Sequence, residues 1–189
     1  MENKIFCIGL NKTGTSSLHA AFEILGLKSV HFRDDKKRNI KDIIENNYFN
    51  EINIIEGLTH YDAFSDWDRY PTTIPIFKEF DKQYPNSKFI LNIRDLEPWL
   101  KSRVKHVERN QQVMRENPSR NLTWLTIDID GWTKEYNLHY NAVFEYFKDR
   151  PNDILIFDVT KGDGWDKLCP FLDLEKPNIP FPKKNVATN

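Results

Sequence analysis

The chain has 189 residues, with 27 lysines and arginines against 28 aspartates and glutamates and a net charge of −1. That balance excludes a bulk electrostatic partner such as long duplex nucleic acid, and a chain that is 39% apolar and 29% charged is globular rather than disordered. No apolar run approaches the ~20 residues of a membrane span. The start carries no signal-peptide pattern, and the length suits one domain over residues 1–189, so a cytoplasmic protein is expected. Cys7 and Cys169 lie in apolar contexts and read as small core hydrophobes.

In chain order, Ile5–Leu10 is a short apolar run, read as a buried strand. The polar turn Asn11–Gly14 follows. Ser16–Leu25 then carries Leu18, Ala21, Phe22 and Leu25 at helical spacing, with Gly26 as its C-cap. Ser29–Phe32 reads as a second strand, and the charge run Asp34–Arg38 as a solvated loop. A helix over Ile40–Tyr48 precedes Tyr61–Trp67, taken as the end of a strand and the loop after it. Thr73–Tyr84 is helical, with Ile76, Phe77 and Phe80 on one face. After the turn Pro85–Ser87, Lys88–Ile93 is the clearest strand, and a helix begins near Pro98 with Leu96, Trp99, Leu100, Val104 and Val107 as its stripe. The polar stretch Asn110–Leu122 reads as irregular, Lys134–Phe147 as a helix, Ile154–Val159 as a strand and Trp165–Leu172 as a short helix. Pro177–Pro182 excludes regular structure.

Strands alternating with helices imply βαβ units and a parallel sheet covered on both faces. The expected fold class is therefore α/β, a P-loop-type three-layer sandwich with a central parallel sheet flanked by helices. Ligands in such sheets lie beyond the carboxyl ends of the strands. The loop after Leu10, the stretch around Asp66, and Arg94 all fall there.

The loop Gly9–Ser17 (GLNKTGTSS) joins a buried strand to an amphipathic helix, the context of a phosphate-binding loop. Its backbone N–H groups and the helix N-terminus form an anion site, and Thr13, Thr15, Ser16 and Ser17 add hydroxyls. Against the Walker pattern, Gly9 and Gly14 hold the two glycine positions, but Thr15 stands where the lysine belongs and the cation has moved to Lys12. That displacement removes the ordinary NTP-hydrolysing reading. ILIFD, ending in Asp158, resembles a Walker B strand, a pattern that chance supplies cheaply.

KTGTSSL, Lys12 to Leu18, resembles the 5′-phosphosulfate-binding loop of the sulfotransferase superfamily. KFILNIRDLEPWLKS is similar to that family's 3′-phosphate element, a strand ending in arginine with a serine eight residues on; Arg94 and Ser102 occupy those positions. The resemblance implies that Lys12, Thr13, Gly14, Thr15, Ser16 and Ser17 hold the donor 3′-phosphoadenosine 5′-phosphosulfate, with Arg94 and Ser102 on its 3′-phosphate. It also implies catalysis by Lys12, no metal, and a small-molecule or glycan acceptor offering a hydroxyl or amine. A base is sought in YDAFSDWDRYP: Asp66 first, with Asp68, Asp62 and His60 as alternatives. Lys161, Lys183 or Lys184 stands for the basic C-terminal element, with GDGWDKLCPFL and PFPKKN resembling the end of short members.

Tyr61, Phe64, Trp67 and Tyr70 line an acceptor pocket or belong to the core. Arg109, Arg115 and Arg120 touch an anionic acceptor or lie in a solvated loop. His19, His31, His106 and His139 receive no role. A nucleotide or nucleoside kinase on the same fold and a non-catalytic nucleotide-binding module are the competing readings.

Overall fold

The computed structural model describes residues 3–67, 75–120 and 122–184. In chain order these form β1 (Ile5–Cys7), α1 (Thr15–Ile24), β2 (Ser29–His31), α2 (Ile40–Phe49), β3 (Ala63–Ser65), α3 (Ile76–Gln83), β4 (Lys88–Asn92), α4 (Leu96–Glu116), α5 (Ile129–Phe147), β5 (Ile154–Phe157) and α6 (Trp165–Leu172), with a 3₁₀ turn at Val159–Lys161 before α6. The strands make one parallel sheet in the order β2-β3-β1-β4-β5. β1 is central. α1 leads from it to the β2 edge, whereas α3 carries the chain from β3 across to β4, so the order reverses around β1.

Side chains alternate across the strands, and the core divides accordingly. Ile5, Cys7, Ala63, Ile90 and Phe157 face α1 and α6, where Leu18, Ala21, Phe22, Trp165, Leu168 and Cys169 bury against them. Phe6, Phe64, Phe89 and Leu91 face the other way, into a larger layer of α2 to α5 built on Ile44, Phe77, Phe80, Trp99, Val143 and Phe147. Phe6 stacks on Phe80 with centroids 4.2 Å apart, which clamps α3 over the middle of the sheet. The result is the expected three-layer α/β sandwich. Among the described residues, no helix is long and apolar enough to cross a membrane.

The boundaries differ from the sequence reading where polar side chains decide them. β1 stops at Cys7 because Ile8 makes the last ladder bond, to the Ile90 carbonyl at 2.8 Å, and Gly9 then bonds a side chain instead. α1 closes as a Schellman motif: Leu27 N–H bonds Phe22 O and Gly26 N–H bonds Glu23 O, both at 3.0 Å. α3 begins at Ile76, the expected start at Thr73 lying outside the described residues.

The largest correction is α4, which runs on through Glu116 across a stretch read as irregular. No proline or glycine interrupts it there, and the buried Asn110 side chain spends its N–H groups on Thr123 O (2.8 Å), not on its own backbone. α5 starts at Ile129 because Asp128 caps it, accepting from Gly131 N at 2.9 Å. The run Asp34–Arg38 is a tied turn: the Asp34 side chain is fully buried and accepts from Arg38 Nε and N–H, each at 2.7 Å. Residues 174–184 are irregular, as the prolines require.

Candidate functional site

The loop between β1 and α1 is shaped by its carbonyl groups. Those of Cys7, Ile8, Leu10, Asn11 and Lys12 each accept a side-chain hydrogen bond, from Trp67 Nε1 (2.9 Å), His139 Nε2 (2.6 Å), Asn92 Nδ2 (3.3 Å), Trp99 Nε1 (2.8 Å) and Arg94 Nη1 (3.3 Å). The donors come from the β3 loop, β4, α4 and α5. These bonds tie the loop's carbonyl groups to the protein. Lys12 adopts a left-handed φ of 66° and Gly14 one of 94°, turns of the kind that expose successive backbone N–H groups. No side chain caps α1, and its first turn holds no acidic residue. An anion is the natural complement of such a helix start.

Asn92 organises this loop, although it ends a strand that reads as apolar. It is fully buried; its Oδ1 accepts Gly9 N–H at 3.0 Å, and its Nδ2 donates to the Thr13 hydroxyl, which donates in turn to the Leu10 carbonyl. The approach is so close that a Cβ on Gly9 would lie 1.9 Å from the Asn92 carbonyl oxygen, and one on Gly14 would lie 2.8 Å from Val159 Cγ1. Asn92→Ala is expected to cost about 2–4 kcal/mol, since it strands the Gly9 N–H and removes the donor that the Thr13 hydroxyl and Leu10 carbonyl share. Urea unfolding would measure the loss; an unchanged midpoint would contradict the role.

Four basic groups meet over the loop. Burial lowers the affinity of Lys12 for its proton, Arg109 and Arg94 lower it further, and Asp66 acts in the opposite sense. Arg94, at the end of β4, reaches the Lys12 carbonyl, yet its buried Nε has no partner among the described residues. The adjacent carboxylate, Asp95, is engaged by Lys161 at 2.6 Å. On α4, Arg109 donates to His106 Nδ1 at 2.8 Å. Burial, then Lys12, Arg109 and Arg103, push His106 down to about 4, so it is neutral near pH 7 and accepts that bond.

Across the loop from these cations lies Asp66, directly after β3, with a left-handed φ of 57°. Its Oδ2 is 3.6 Å from Nε2 of His31, the last residue of β2, and the same nitrogen is 3.2 Å from Thr15 Oγ1 at the head of α1. The two other bases described lie elsewhere. His60 and Asp62 precede β3, at the amino edge of the sheet, and Asp62 is occupied in accepting from Lys28 N (2.8 Å). Asp68 lies outside the described residues.

The remaining expected residues fall as follows. Thr13 is buried, with its hydroxyl spent inside the loop, so its contribution outward is its backbone. Thr15 and Ser17 are buried at the start of α1, and Ser16 is half-buried. Ser17 Oγ accepts from Lys184 N at 3.0 Å, which lays the C-terminal segment against the loop helix and keeps the hydroxyl proton for another acceptor. Lys183 and Lys184 are exposed there. Ser102 is half-buried, two turns into α4. Tyr61, Phe64 and Trp67 are core residues, which removes them as pocket lining, while Tyr70 lies outside the described residues. Asp158 caps the 3₁₀ turn, accepting from Thr160 N at 2.9 Å; it serves as a turn residue. Among the described residues, no group of three or more His, Cys, Asp and Glu is placed to hold a metal ion.

Residues 4–189 match the family model described as a sulfotransferase domain. Ava biosynthesis cluster protein M of Aspergillus versicolor is 24% identical over 210 residues, an alignment that covers 95% of this chain and 79% of the relative.

Proposed function

The chain belongs to the sulfotransferase domain family, and on that premise we propose that it moves a sulfuryl group from 3′-phosphoadenosine 5′-phosphosulfate to a hydroxyl or amine of a small-molecule or glycan acceptor. The observation that carries the donor assignment is the bond from Arg94 to the Lys12 carbonyl. It brings the Arg94 guanidinium at the end of β4 beside the loop that carries Lys12, two cations that in this reading serve two anionic groups. A donor with two separate anionic groups, a 5′-phosphosulfate and a 3′-phosphate, fits that pair better than a single triphosphate chain.

In this reading residues 1–189 act as one domain. The N–H groups of Thr13 and Gly14 and the start of α1, with the hydroxyls of Thr15, Ser16 and Ser17, hold the phosphosulfate. Arg94 and Ser102 hold the 3′-phosphate, the arginine through a planar fork suited to a dianion. The acceptor oxygen or nitrogen attacks sulfur in line, the bond from sulfur to the bridging oxygen breaks, and adenosine 3′,5′-bisphosphate leaves. Asp66 takes the acceptor's proton. Lys12 meets the charge that gathers on the bridging oxygen. The relative's name refers to a biosynthesis cluster, which supports a small-molecule acceptor over a glycan.

Thermal unfolding tests the donor directly. Adenosine 3′,5′-bisphosphate at 100 times its dissociation constant is expected to add about 2.7 kcal/mol, a rise of roughly 5–10 °C in the melting temperature for a chain of this size. Stabilisation by ATP with Mg²⁺ but not by the bisphosphate would return the site to a kinase.

A further inference from the structure

We propose that His31 is a positioning residue that ties the carboxylate of Asp66 to the hydroxyl of Thr15, fixing base and donor loop relative to one another. The inference rests on the reading above, in which Asp66 is the base and Thr15 belongs to the donor site. Three elements converge on one nitrogen: β2 ends in His31, β3 ends before Asp66, and α1 begins at Thr15. Nε2 is 3.2 Å from Thr15 Oγ1 and 3.6 Å from Asp66 Oδ2.

Electrostatics selects the tautomer. A lone pair on Nε2 facing a carboxylate is repulsive, whereas an N–H is attracted to it, so the proton sits on Nε2. That N–H donates to Thr15 Oγ1, which turns the hydroxyl's own proton outward to the loop's anion. One ring therefore sets the polarity of a donor-binding hydroxyl and draws the carboxylate toward the same point.

The ring is held in turn. His19 of α1 stacks on it with centroids 5.4 Å apart and planes 25° from parallel. His19 Nδ1 bonds Ser29 Oγ at 2.8 Å, on the same face of β2 as His31. Burial outweighs the nearby Glu23 and lowers the pKa of His19, so the stack carries no like-charge repulsion at neutral pH. Asp66 itself holds a left-handed φ of 57°, a backbone state a non-glycine residue keeps only where its surroundings fix it.

Nuclear magnetic resonance of the full chain with isotope-labelled histidine reads the tie without any ligand. His31 is expected as the Nε2–H tautomer, and its Nε2 signal is expected to move on Asp66→Asn and on Thr15→Val but not on Asp62→Asn. An Nδ1–H tautomer, or an Nε2 signal indifferent to Asp66→Asn, overturns the proposal.

Kinetics supplies the second readout. His31→Phe keeps a ring over His19 but loses the N–H, and should lower kcat by about 10–100-fold, as small misplacements of reacting groups do, with the donor KM within a few-fold. His31→Gln, which restores an N–H near that point, should recover most of the rate. Equal losses in both variants, or none in His31→Phe, count against the tie. If the unmodified chain fails to bind adenosine 3′,5′-bisphosphate, the donor reading falls by itself, because the response of His31 to Asp66→Asn is measured separately.

Discussion

Lys12→Ala is expected to lower kcat by on the order of 10²–10³, the cost of removing one donor from a preorganised site where charge develops. The geometry makes this substitution clean. The contacts that shape the loop at this position run through the Lys12 carbonyl, which receives Arg94 at 3.3 Å, and alanine keeps that carbonyl. The left-handed backbone is equally strained for lysine and alanine, so φ does not confound the comparison. What disappears is an ammonium held in a partly buried place beside Arg109 and Arg94, at odds with its own charge.

The same crowding predicts a second sign. Lys12→Ala should unfold no lower than the parent chain, and somewhat higher in low salt, because two neighbouring cations lose a repulsive partner. Affinity for adenosine 3′,5′-bisphosphate should fall less than kcat, since Arg94 and the α1 start remain. Initial rates and a melting curve on one preparation decide the matter. Full activity in Lys12→Ala, or a loss fully explained by unfolding, would remove Lys12 from the reaction.

The sequence made the frame of this site readable. The two glycines and the moved lysine announce an anion loop because each obeys a local constraint: Gly9 and Gly14 have no room for a Cβ, and Lys12 sits on the turn itself. Arg94 was visible for the same reason, at the end of the most regular strand. Asn92 was not, because within KFILNI it occupies a core position, and its purpose lies 83 residues away at Gly9. His31 was hidden likewise: the parallel register of β2 and β3 brings Asp66 to it, and the turn into α1 brings Thr15. β3 has only three residues; the sequence ranks Asp66 first because it follows the strand-like run, and the parallel register sets Asp66 past the carboxyl end of β3 and Asp62 before its start. The length of α4 was missed for a chemical reason. Past Val107 its outward residues are Glu108, Arg109, Gln112 and Arg115, which carry little apolar signal although they continue the same helix.

Arg103→Met is expected to destabilise the chain by about 3–5 kcal/mol, as breaking a buried ion pair from one side does. The guanidinium is 1% exposed and lies 4.6–4.7 Å from the ring centroids of Trp99, Trp124 and Trp132, with Glu135 at 2.6 Å. A planar, weakly hydrated cation suits three indole faces, where an ammonium would not. Removing it takes the 2.6 Å ion-pair partner from the Glu135 carboxylate and the common cation from three tryptophans. For a chain of this size the melting temperature should drop roughly 6–20 °C. Adding Glu135→Leu should return a large part of the loss, because the penalty lies mainly in the stranded charge; a double variant as unstable as the single one would instead assign it to lost stacking. The consequence reaches the loop. The cage joins α4, the segment after it and α5, and these elements bring Trp99 and His139 to the loop carbonyls. Folded Arg103→Met should therefore bind adenosine 3′,5′-bisphosphate more weakly than the parent, and Arg103→Met with Glu135→Leu should recover affinity in step with stability.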